Sequence, residues 1–482
     1  MSTNLLSFLI STSLLLLLSS VFSFKNGVFA FEERKIAETH HLHLLQLSSL
    51  LPSDSCKSSS SSSQGLDEKT FLKVIHKHGP CSNLNQQSKP KSPTHTQILA
   101  QDQSRVKSIH SKLSKNSGEE LATDATTIPA KDGSTVGSGN YIVNVGIGTP
   151  KKDLSLIFDT GSDLTWTQCQ PCAKSCYQQK EPIFDPSTSN TYTNITCGTA
   201  LCGSLASATG NTFNCASSTC VYGIQYGDSS FSIGFFGKEK LTLTPTDTFD
   251  SFYFGCGQNN QGLFGGAAGL LGLGRDKLSL VSQTAQKYKK IFSYCLPSSS
   301  SSTGFLTFGG SPSKSAKFTP LSTLSIGSSF YGLDFTAISV GGQKLAISPS
   351  VFSNAGTIID SGTVITRLPP AAYSALSSAF KKLMSKYPSA PALSILDTCY
   401  DFSKYSTISV PKIGLFFNGG VQMDIDATGI FYVNDPTQVC LAFAANGDAS
   451  DVAIIGNTQQ KTLEVVYDGA ANRVGFASGG CS

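Results

Sequence analysis

The chain has 482 residues, with 36 Lys and Arg against 32 Asp and Glu, so its net charge is +4. Only 14% of the residues are charged and 39% are hydrophobic. This composition excludes an acidic disordered chain and a strongly basic nucleic-acid-binding protein, and the length is enough for two or three domains. All seven histidines precede Ile128, so any function carried by residues 128–482 uses no catalytic histidine and no histidine-bound zinc.

The N-terminus predicts a secretory signal peptide in residues 1–30. Leu5–Phe22 is apolar apart from Ser and Thr, and small residues at Ser23 and Ala30 offer two cleavage points. An uncleaved membrane anchor is the less favoured alternative, because the apolar segment is short for a membrane span. The sequence therefore predicts a secreted protein.

Residues 31–127 differ in composition from the C-terminal part of the chain and predict a removable propeptide. They hold all the histidines, and apolar residues recur at helical spacing over Thr96–Leu113. A further hypothesis concerns these histidines. If the propeptide blocks a cleft, the histidines gain charge as the pH falls toward about 5–6 and weaken that contact.

Fourteen cysteines in a secreted chain predict a disulfide framework. Seven of them lie between Cys169 and Cys220, which indicates a compact disulfide-rich insertion over residues 169–220. The spacing of Cys169 and Cys172 also fits half of a zinc knuckle or a redox motif, but without histidine and in an oxidising compartment we expect disulfides and no metal. Asn194 begins the one Asn-X-Thr sequon of the chain, so we expect it to be exposed and glycosylated.

Residues 128–482 consist of short β-branched or aromatic runs between Gly, Asn, Asp and Ser turns, which is typical of strands. Amphipathic helices are expected over 278–291 and 369–387. The Ser298–Ser302 run is expected to be a surface loop. Clear strand candidates are Tyr141–Val145, Leu154–Phe158 and Leu463–Tyr467.

Two segments repeat one pattern: two apolar residues, then Asp, a hydroxyl residue, Gly and a second hydroxyl residue. The first contains Asp159 and the second contains Asp360, 360 − 159 = 201 residues later. An apolar pair and a Gly come after each segment, at Leu270–Gly272 and at Ile454–Gly456. This self-similarity predicts two copies of one β-lobe, with the two Asp turns meeting at a pseudo-two-fold axis.

Each Asp turn carries the residue types that a paired-carboxylate site needs. Gly allows close approach, the hydroxyl directly after Asp can bridge the two turns, and the hydroxyl after Gly can hold a carboxylate in plane. Two facing carboxylates cannot both ionise, so they share one proton, activate a water and protonate a carbonyl oxygen. The supporting residues are Thr160, Gly161 and Ser162 in the first turn and Ser361, Gly362 and Thr363 in the second.

These turns, with Tyr226-Gly227-Asp228, Ile454–Asn457 and the seven-cysteine insertion, resemble the plant nepenthesin-like group of pepsin-like aspartic proteases. The resemblance covers about residues 135–482. It implies a mainly β, bilobal fold with a cleft between an N-terminal lobe, 128–318, and a C-terminal lobe, 319–482.

The resemblance also implies roles for individual residues. Asp159 and Asp360 would be the catalytic pair, and Tyr226 would be the flap tyrosine that closes over bound peptide. A disulfide is expected between Cys399 and Cys440. The implied function is an acid-active endopeptidase that acts on polypeptides without a cofactor.

Val74–Cys81 resembles one branch of the group, which includes the chloroplast nucleoid DNA-binding protease and apoplastic, defence-related relatives. We therefore expect a secreted monomeric zymogen of the apoplast, with vacuole or plastid delivery as alternatives. It would be inhibited by its own propeptide, bind neither membrane nor nucleic acid, and act in plant defence or protein turnover.

Three alternatives compete with this interpretation. A catalytically silent binding protein of the same fold is disfavoured, because xylanase-inhibitor-like relatives have damaged active-site turns and both turns are intact here. DNA binding by a nucleoid protease is disfavoured by the short basic clusters of residues 128–482. A glycosidase would hold its carboxylates about 5 Å or more apart, whereas the repeat predicts near contact.

Overall fold

The computed structural model describes residues 41–51, 53–57, 70–85, 93–115, 140–226, 230–262, 264–323 and 327–481. The predicted signal peptide and the propeptide boundary near Ile128 lie outside these residues. Among the described helices, none is long and apolar enough to cross a membrane.

Strands dominate the described residues, which confirms the mainly β prediction. In chain order they are β1 (Leu42–Gln46), β2 (Thr70–His76), β3 (Tyr141–Ile147), β4 (Lys152–Asp159), β5 (Trp166–Gln168), β6 (Thr193–Asn194), β7 (Asn214–Ala216), β8 (Thr219–Gln225), β9 (Phe231–Thr244), β10 (Asp247–Gln261), β11 (Gly269–Gly272), β12 (Ile291–Cys295), β13 (Thr303–Phe308), β14 (Lys317–Pro320), β15 (Tyr331–Leu333), β16 (Phe335–Val340), β17 (Gln343–Lys344), β18 (Thr357–Ile359), β19 (Thr366–Leu368), β20 (Ser389–Ala390), β21 (Cys399–Tyr400), β22 (Thr407–Pro411), β23 (Ile413–Phe417), β24 (Val421–Asp424), β25 (Phe431–Asp435), β26 (Gln438–Leu441), β27 (Phe443–Ala445), β28 (Ala453–Ile455), β29 (Glu464–Asp468) and β30 (Arg473–Ala477).

Helices are few and mostly short. The α-helices are α1 (His95–Lys115), α2 (Ala200–Gly203), α3 (Leu205–Thr209), α4 (Leu280–Gln283), α5 (Ala285–Tyr288), α6 (Ser350–Ser353), α7 (Pro370–Leu383) and α8 (Ala427–Ile430). Single 3-10 turns lie at Leu47–Ser49, Asn83–Asn85, Pro186–Thr188, Asn418–Gly420 and Asn457–Gln460.

One large sheet runs through the molecule in the order β14-β30-β29-β12-β13-β2-β3-β4-β11-β5-β10-β9-β8-β7. The C-terminal lobe adds three smaller sheets, β15-β18-β28-β19-β27, β17-β16-β23-β24 and β20-β21-β26-β25. The last two strands of the chain return to the large sheet and connect the two lobes. The lobe boundary expected at 318/319 falls inside β14, which pairs with β30.

The sequence repeat corresponds to a repeat in topology. In the N-terminal lobe β11 runs parallel to β4 and antiparallel to β5. In the C-terminal lobe β28 runs parallel to β18 and antiparallel to β19. The apolar pairs that come after the two Asp turns, Leu270-Leu271 and Ile454-Ile455, are therefore strands that pair with the strands leading into those turns.

The predicted propeptide is woven into this fold. Strand β2 lies between β13 and β3 in the large sheet, pairing antiparallel with both. Val74 of β2 is fully buried, and β1 pairs antiparallel with β22. The predicted helix over Thr96–Leu113 is α1, with boundaries one and two residues further out.

All fourteen cysteines are described, and all are paired. Three disulfides staple the predicted insertion internally, whereas its first cysteine, Cys169, pairs with Cys256 on β10. Cys399 and Cys440 form a disulfide within the C-terminal lobe. The remaining pairs are Cys56–Cys81, Cys172–Cys176, Cys197–Cys215, Cys202–Cys220 and Cys295–Cys481.

Two local expectations were wrong. The single helix expected over 278–291 is divided into α4 and α5 at Thr284, whose φ and ψ of −100° and 9° are not helical. Ser301 and Ser302 are buried rather than part of an exposed loop. The predicted propeptide covers them, since Ser301 accepts hydrogen bonds from the backbone amides of Lys57 and Ser53.

Candidate active site

The two Asp turns are built by equivalent strands. Asp159 is the last residue of β4, and its carbonyl accepts a 2.9 Å hydrogen bond from the Leu273 amide just beyond β11. Asp360 comes directly after β18, and its amide donates a 3.1 Å hydrogen bond to the Ile455 carbonyl of β28. Both carboxylates are almost completely buried, because each strand ends in the interior between the lobes.

The residues after the two aspartates bind the turns to each other. The Thr160 amide donates to the Ser361 hydroxyl at 3.1 Å, and the Ser361 amide donates to the Thr160 hydroxyl at 2.9 Å. These reciprocal bonds span 201 residues of sequence and are fully buried. They fix the distance between the lobes at the carboxylates.

Each carboxylate is held by its own turn. Asp159 accepts hydrogen bonds from the Gly161 amide at 2.9 Å and the Ser162 hydroxyl at 2.8 Å. Asp360 accepts matching bonds from Gly362 at 3.0 Å and Thr363 at 2.5 Å. The two carboxylates are therefore presented in the same way by the two lobes.

The glycines are required by the close approach of the turns. A Cβ added at Gly161 would lie 2.7 Å from Oδ1 of Asp360, and one at Gly362 would lie 2.4 Å from Oδ1 of Asp159. Both distances are shorter than carbon and oxygen atoms tolerate without displacement. Any side chain at either position would push the carboxylates apart.

A residue of the predicted propeptide occupies the point where the carboxylates converge. Nη2 of Arg105, on α1, lies 2.7 Å from Oδ1 of Asp159 and 2.9 Å from Oδ2 of Asp360. Nη1 of Arg105 also donates to Asp159 at 3.1 Å, and Nε donates to Asp360 at 3.0 Å. One guanidinium thus bridges both carboxylates with a side chain that is 14% exposed.

The charges of this cluster depend on one another. Burial disfavours ionisation of Asp159, but Arg105 and the turn hydrogen bonds outweigh burial and lower the pKa of Asp159. Burial raises the pKa of Asp360 against the opposing effect of Arg105, and the adjacent Asp159 charge adds to the rise. The two aspartates titrate as a pair, and their pKa values are pushed in opposite directions.

Two other predicted site residues, Tyr226 and Asn194, form hydrogen bonds of their own in the N-terminal lobe. Tyr226 directly follows β8 and precedes the undescribed residues 227–229. Its hydroxyl accepts a 2.8 Å hydrogen bond from Nε1 of Trp166. Trp166 is fully buried on β5. Asn194 is exposed at the end of β6, where its amide oxygen accepts a hydrogen bond from the Tyr192 hydroxyl. In the described part of the chain, no cluster of three His, Cys, Asp or Glu side chains could hold a metal ion.

Sequence reasoning missed two charged residues of α1, Asp102 and Arg105. The carboxylate of Asp102 is fully buried against the C-terminal lobe. The sequence alone could have indicated this burial, because Asp102 lies between Leu99 and Val106 on the apolar face of the predicted helix. A charged residue in such a face implies a specific partner.

A third charged residue, Asp163, is buried and comes directly after the first Asp turn. Burial raises the pKa of Asp163 to about 7. One of its oxygens accepts a 2.8 Å hydrogen bond from the Asp276 amide. Asp163 therefore organises the turn behind the carboxylate pair.

A buried pair of Asp turns at the axis between two β-lobes defines the pepsin-like aspartic protease class. Two family models match the chain, "Xylanase inhibitor N-terminal" over residues 141–310 and "Xylanase inhibitor C-terminal" over 330–478. Together they cover both lobes and leave the predicted propeptide outside.

The similarity to two relatives extends beyond the lobes into the predicted propeptide. An aspartyl protease family protein of Arabidopsis thaliana is 63% identical over 91% of this chain and 93% of its own length. Aspartyl protease AED1 of the same plant is 52% identical over 95% and 96%, and nepenthesin-2 of Nepenthes gracilis is 36% identical over 76% and 80%. The chain belongs to the plant pepsin-like aspartic protease family.

Solved structures support the same fold. The chain resembles basic 7S globulin from soybean with a TM-score of 0.55 and 21% identity, over 70% of this chain and 92% of that one. Conglutin gamma from lupine seeds gives a TM-score of 0.56 and 21% identity, over 70% and 91%. At this identity the likeness concerns the fold alone.

Replacing Ser361 with Ala tests the bridge between the turns. The change leaves the buried Thr160 amide without its acceptor, so the free energy of unfolding should fall by about 1–3 kcal/mol. Urea unfolding of the propeptide-free protein measures this change. Ser353→Ala, at an exposed position of α6, is the control, and equal stability of the two variants would contradict the bridging role.

Proposed function

We propose that this aspartic protease is an acid-active endopeptidase in which Asp159 and Asp360 are the catalytic pair. The observation that carries the proposal is the equivalent presentation of two buried carboxylates that converge on one point. After the propeptide leaves, that point is open to a water molecule and to a peptide carbonyl. The family membership supports polypeptides as the substrates.

The pair would work with one shared proton. The ionised carboxylate removes a proton from the water, which attacks the amide carbon, and the protonated carboxyl donates its proton to the carbonyl oxygen. The opposite pKa shifts of Asp159 and Asp360 favour one charged and one neutral group. A tetrahedral diol then breaks down without a covalent enzyme intermediate.

The propeptide would act as the intramolecular inhibitor. Arg105 occupies the position that the water and the scissile carbonyl need, and its charge neutralises the pair. Leu99 of α1 packs with Val364 and Ile365, and Val106 packs with Ile358. These contacts hold α1 along the cleft and exclude a polypeptide.

The remaining features favour a secreted monomer of the apoplast. The seven disulfides suit an oxidising compartment, and exposed Asn194 is positioned to accept a glycan. Tyr226, linked to buried Trp166, would be the flap tyrosine. The basic clusters in the sequence of the lobes are short, which disfavours nucleic-acid binding.

The pair is tested by peptide cleavage against pH, with and without pepstatin, using acid-matured protein. We expect an acid optimum, inhibition by pepstatin and a fall in kcat of about 10²–10⁴-fold in Asp360→Asn, because the general acid or base is removed. Asp448→Asn, at an exposed turn, should keep wild-type activity. Folded, propeptide-free wild-type protein that cleaves at no pH would contradict the proposal and favour the binding-protein alternative.

Replacing Arg105 with Ala should weaken latency. The change leaves two buried carboxylates without their cation, and breaking a buried pair of this kind costs about 3–5 kcal/mol. The intact zymogen should then cleave a fluorogenic peptide at least a hundredfold faster, at about 1.4 kcal/mol per tenfold. Lys107→Ala, on the exposed side of the same helix, should stay latent; equal latency in both variants would show that Arg105 does not inhibit.

The structure gives the histidine hypothesis a testable form at His76 of β2. Burial lowers the pKa of His76 to about 3, from an ordinary value of 6.5. When β2 is released, His76 takes up a proton below about pH 6.5. When β2 is docked, His76 stays neutral down to about pH 3. Docking therefore weakens as the pH falls from about 6.5 to about 3.

Replacing His76 with Phe keeps an aromatic ring in contact with Tyr141 but removes the group that can bind a proton. Propeptide release at about pH 4–5 should slow, and its pH midpoint should move to lower pH, because the variant gains no proton on release. Gel analysis of maturation over a pH series measures both quantities. His41→Phe, at an exposed position, is the control, and an unchanged midpoint for His76→Phe would refute the hypothesis.

A further inference from the structure

A second ion pair joins the propeptide helix to the catalytic part, one helical turn from Arg105. The carboxylate of Asp102 lies 3.0 Å from Nη2 of Arg367, and both side chains are fully buried. The same carboxylate accepts hydrogen bonds from the amides of Val364 at 2.6 Å and Ile365 at 3.1 Å. Three donors of the C-terminal lobe therefore converge on one carboxylate that the propeptide supplies.

Arg367 occupies a defined place beside the carboxylate pair. It lies 367 − 360 = 7 residues after Asp360, as Trp166 lies 166 − 159 = 7 residues after Asp159. Its register partner is Ile454, whereas that of Trp166 is Leu270, so the two residues hold equivalent positions in the two lobes. Trp166 donates to Tyr226 on one side of the pair, and Arg367 pairs with the carboxylate of α1 on the other.

Release of α1 removes the partners of this guanidinium. In the described residues, Asp102 is the one carboxylate paired with Arg367, and the oxygen of Gln103, 3.3 Å away, also belongs to α1. Among the described residues of the lobe, the Ile365 carbonyl at 2.8 Å is the one acceptor, and Nε has no partner there. A guanidinium that keeps only one acceptor strongly favours an incoming anion.

Resting on the proposed function, we propose that Arg367 and the amides of Val364 and Ile365 form a subsite for an acidic side chain of the substrate. Asp102 occupies this subsite in the zymogen, as Arg105 occupies the catalytic point. The two residues are three positions apart on α1, about 4.5 Å along the helix axis. The acidic residue of a substrate therefore binds close to the scissile bond, on the side of the C-terminal lobe.

The occupant is a carboxylate rather than an apolar side chain because the donors are already arranged for one. Two adjacent amides donate hydrogen bonds to the two oxygens of Asp102, and the guanidinium of Arg367 forms an ion pair with one of them. A neutral Asn or Gln side chain has one oxygen to offer and places an N–H group against the remaining donors. The subsite should therefore distinguish Asp from Asn, which have nearly the same shape.

The experiment uses matured wild-type enzyme and peptide pairs that differ by Asp against Asn at one position, scanned across the scissile bond. At about pH 5 the Asp side chain is charged. We expect one position at which kcat/KM for Asp exceeds that for Asn about tenfold or more, since hydrogen bonds to charged groups contribute that much. Equal rates at every position in the wild-type enzyme would overturn the subsite without any variant.

Two substitutions assign the preference to the guanidinium. In Arg367→Gln the Asp/Asn ratio should fall close to one, and Arg367→Lys should restore part of it. Arg473→Gln, which removes a guanidinium paired with Asp468 on β29, should keep the wild-type ratio. Pepstatin titration counts the active sites, so each ratio refers to folded enzyme.

A wild-type ratio that persists in Arg367→Gln would overturn the assignment. Cleavage of the Asn peptides reports the proposed peptidase function separately. Pepstatin-sensitive cleavage of these peptides without an acidic preference would therefore contradict the subsite alone.

Discussion

Two buried carboxylates that face each other at the boundary between the lobes constrain the whole molecule. Asp159 and Asp360 are both nearly inaccessible to water, and such a pair is stable only with a shared proton or a cation between its members. With α1 in place, Arg105 is that cation. The same requirement underlies both the proposed reactivity of the pair after maturation and its proposed inhibition by Arg105.

The predicted propeptide is part of the large sheet as well as the proposed inhibitor. Strand β2 is an internal strand of the sheet, between β13 and β3, whereas α1 fills the cleft. Burial of Val74 in one place and Leu99 in another ties the two roles together. Loss of either contact weakens the hold of the other, because both belong to one short stretch of chain.

The repeat in the sequence was sufficient to predict the two lobes, the meeting of the Asp turns and the roles of their neighbours in holding the carboxylates. Each of these depends on local pattern and symmetry. The partners of Asp102 and Arg105 in the C-terminal lobe could not be predicted in this way, since they lie 255 residues or more along the chain. The Cys169–Cys256 pairing was hidden for the same reason: nothing local specifies a partner 87 residues away.

The disulfides also decide what would hold the predicted propeptide after the proposed cleavage. Cys56 pairs with Cys81 within the predicted propeptide, and the other six disulfides lie within residues 169–481. The backbone hydrogen bonds of β1 and β2, burial and charge therefore hold the two parts together without a covalent link. On the histidine hypothesis, docking of β2 weakens as the pH falls below about 6.5, because burial lowers the pKa of His76. The contact between Arg105 and Asp159 persists to lower pH, because the pKa of Asp159 lies below its ordinary value. Strand β2 should accordingly loosen before α1, so that the sheet opens first and the carboxylate pair is uncovered last.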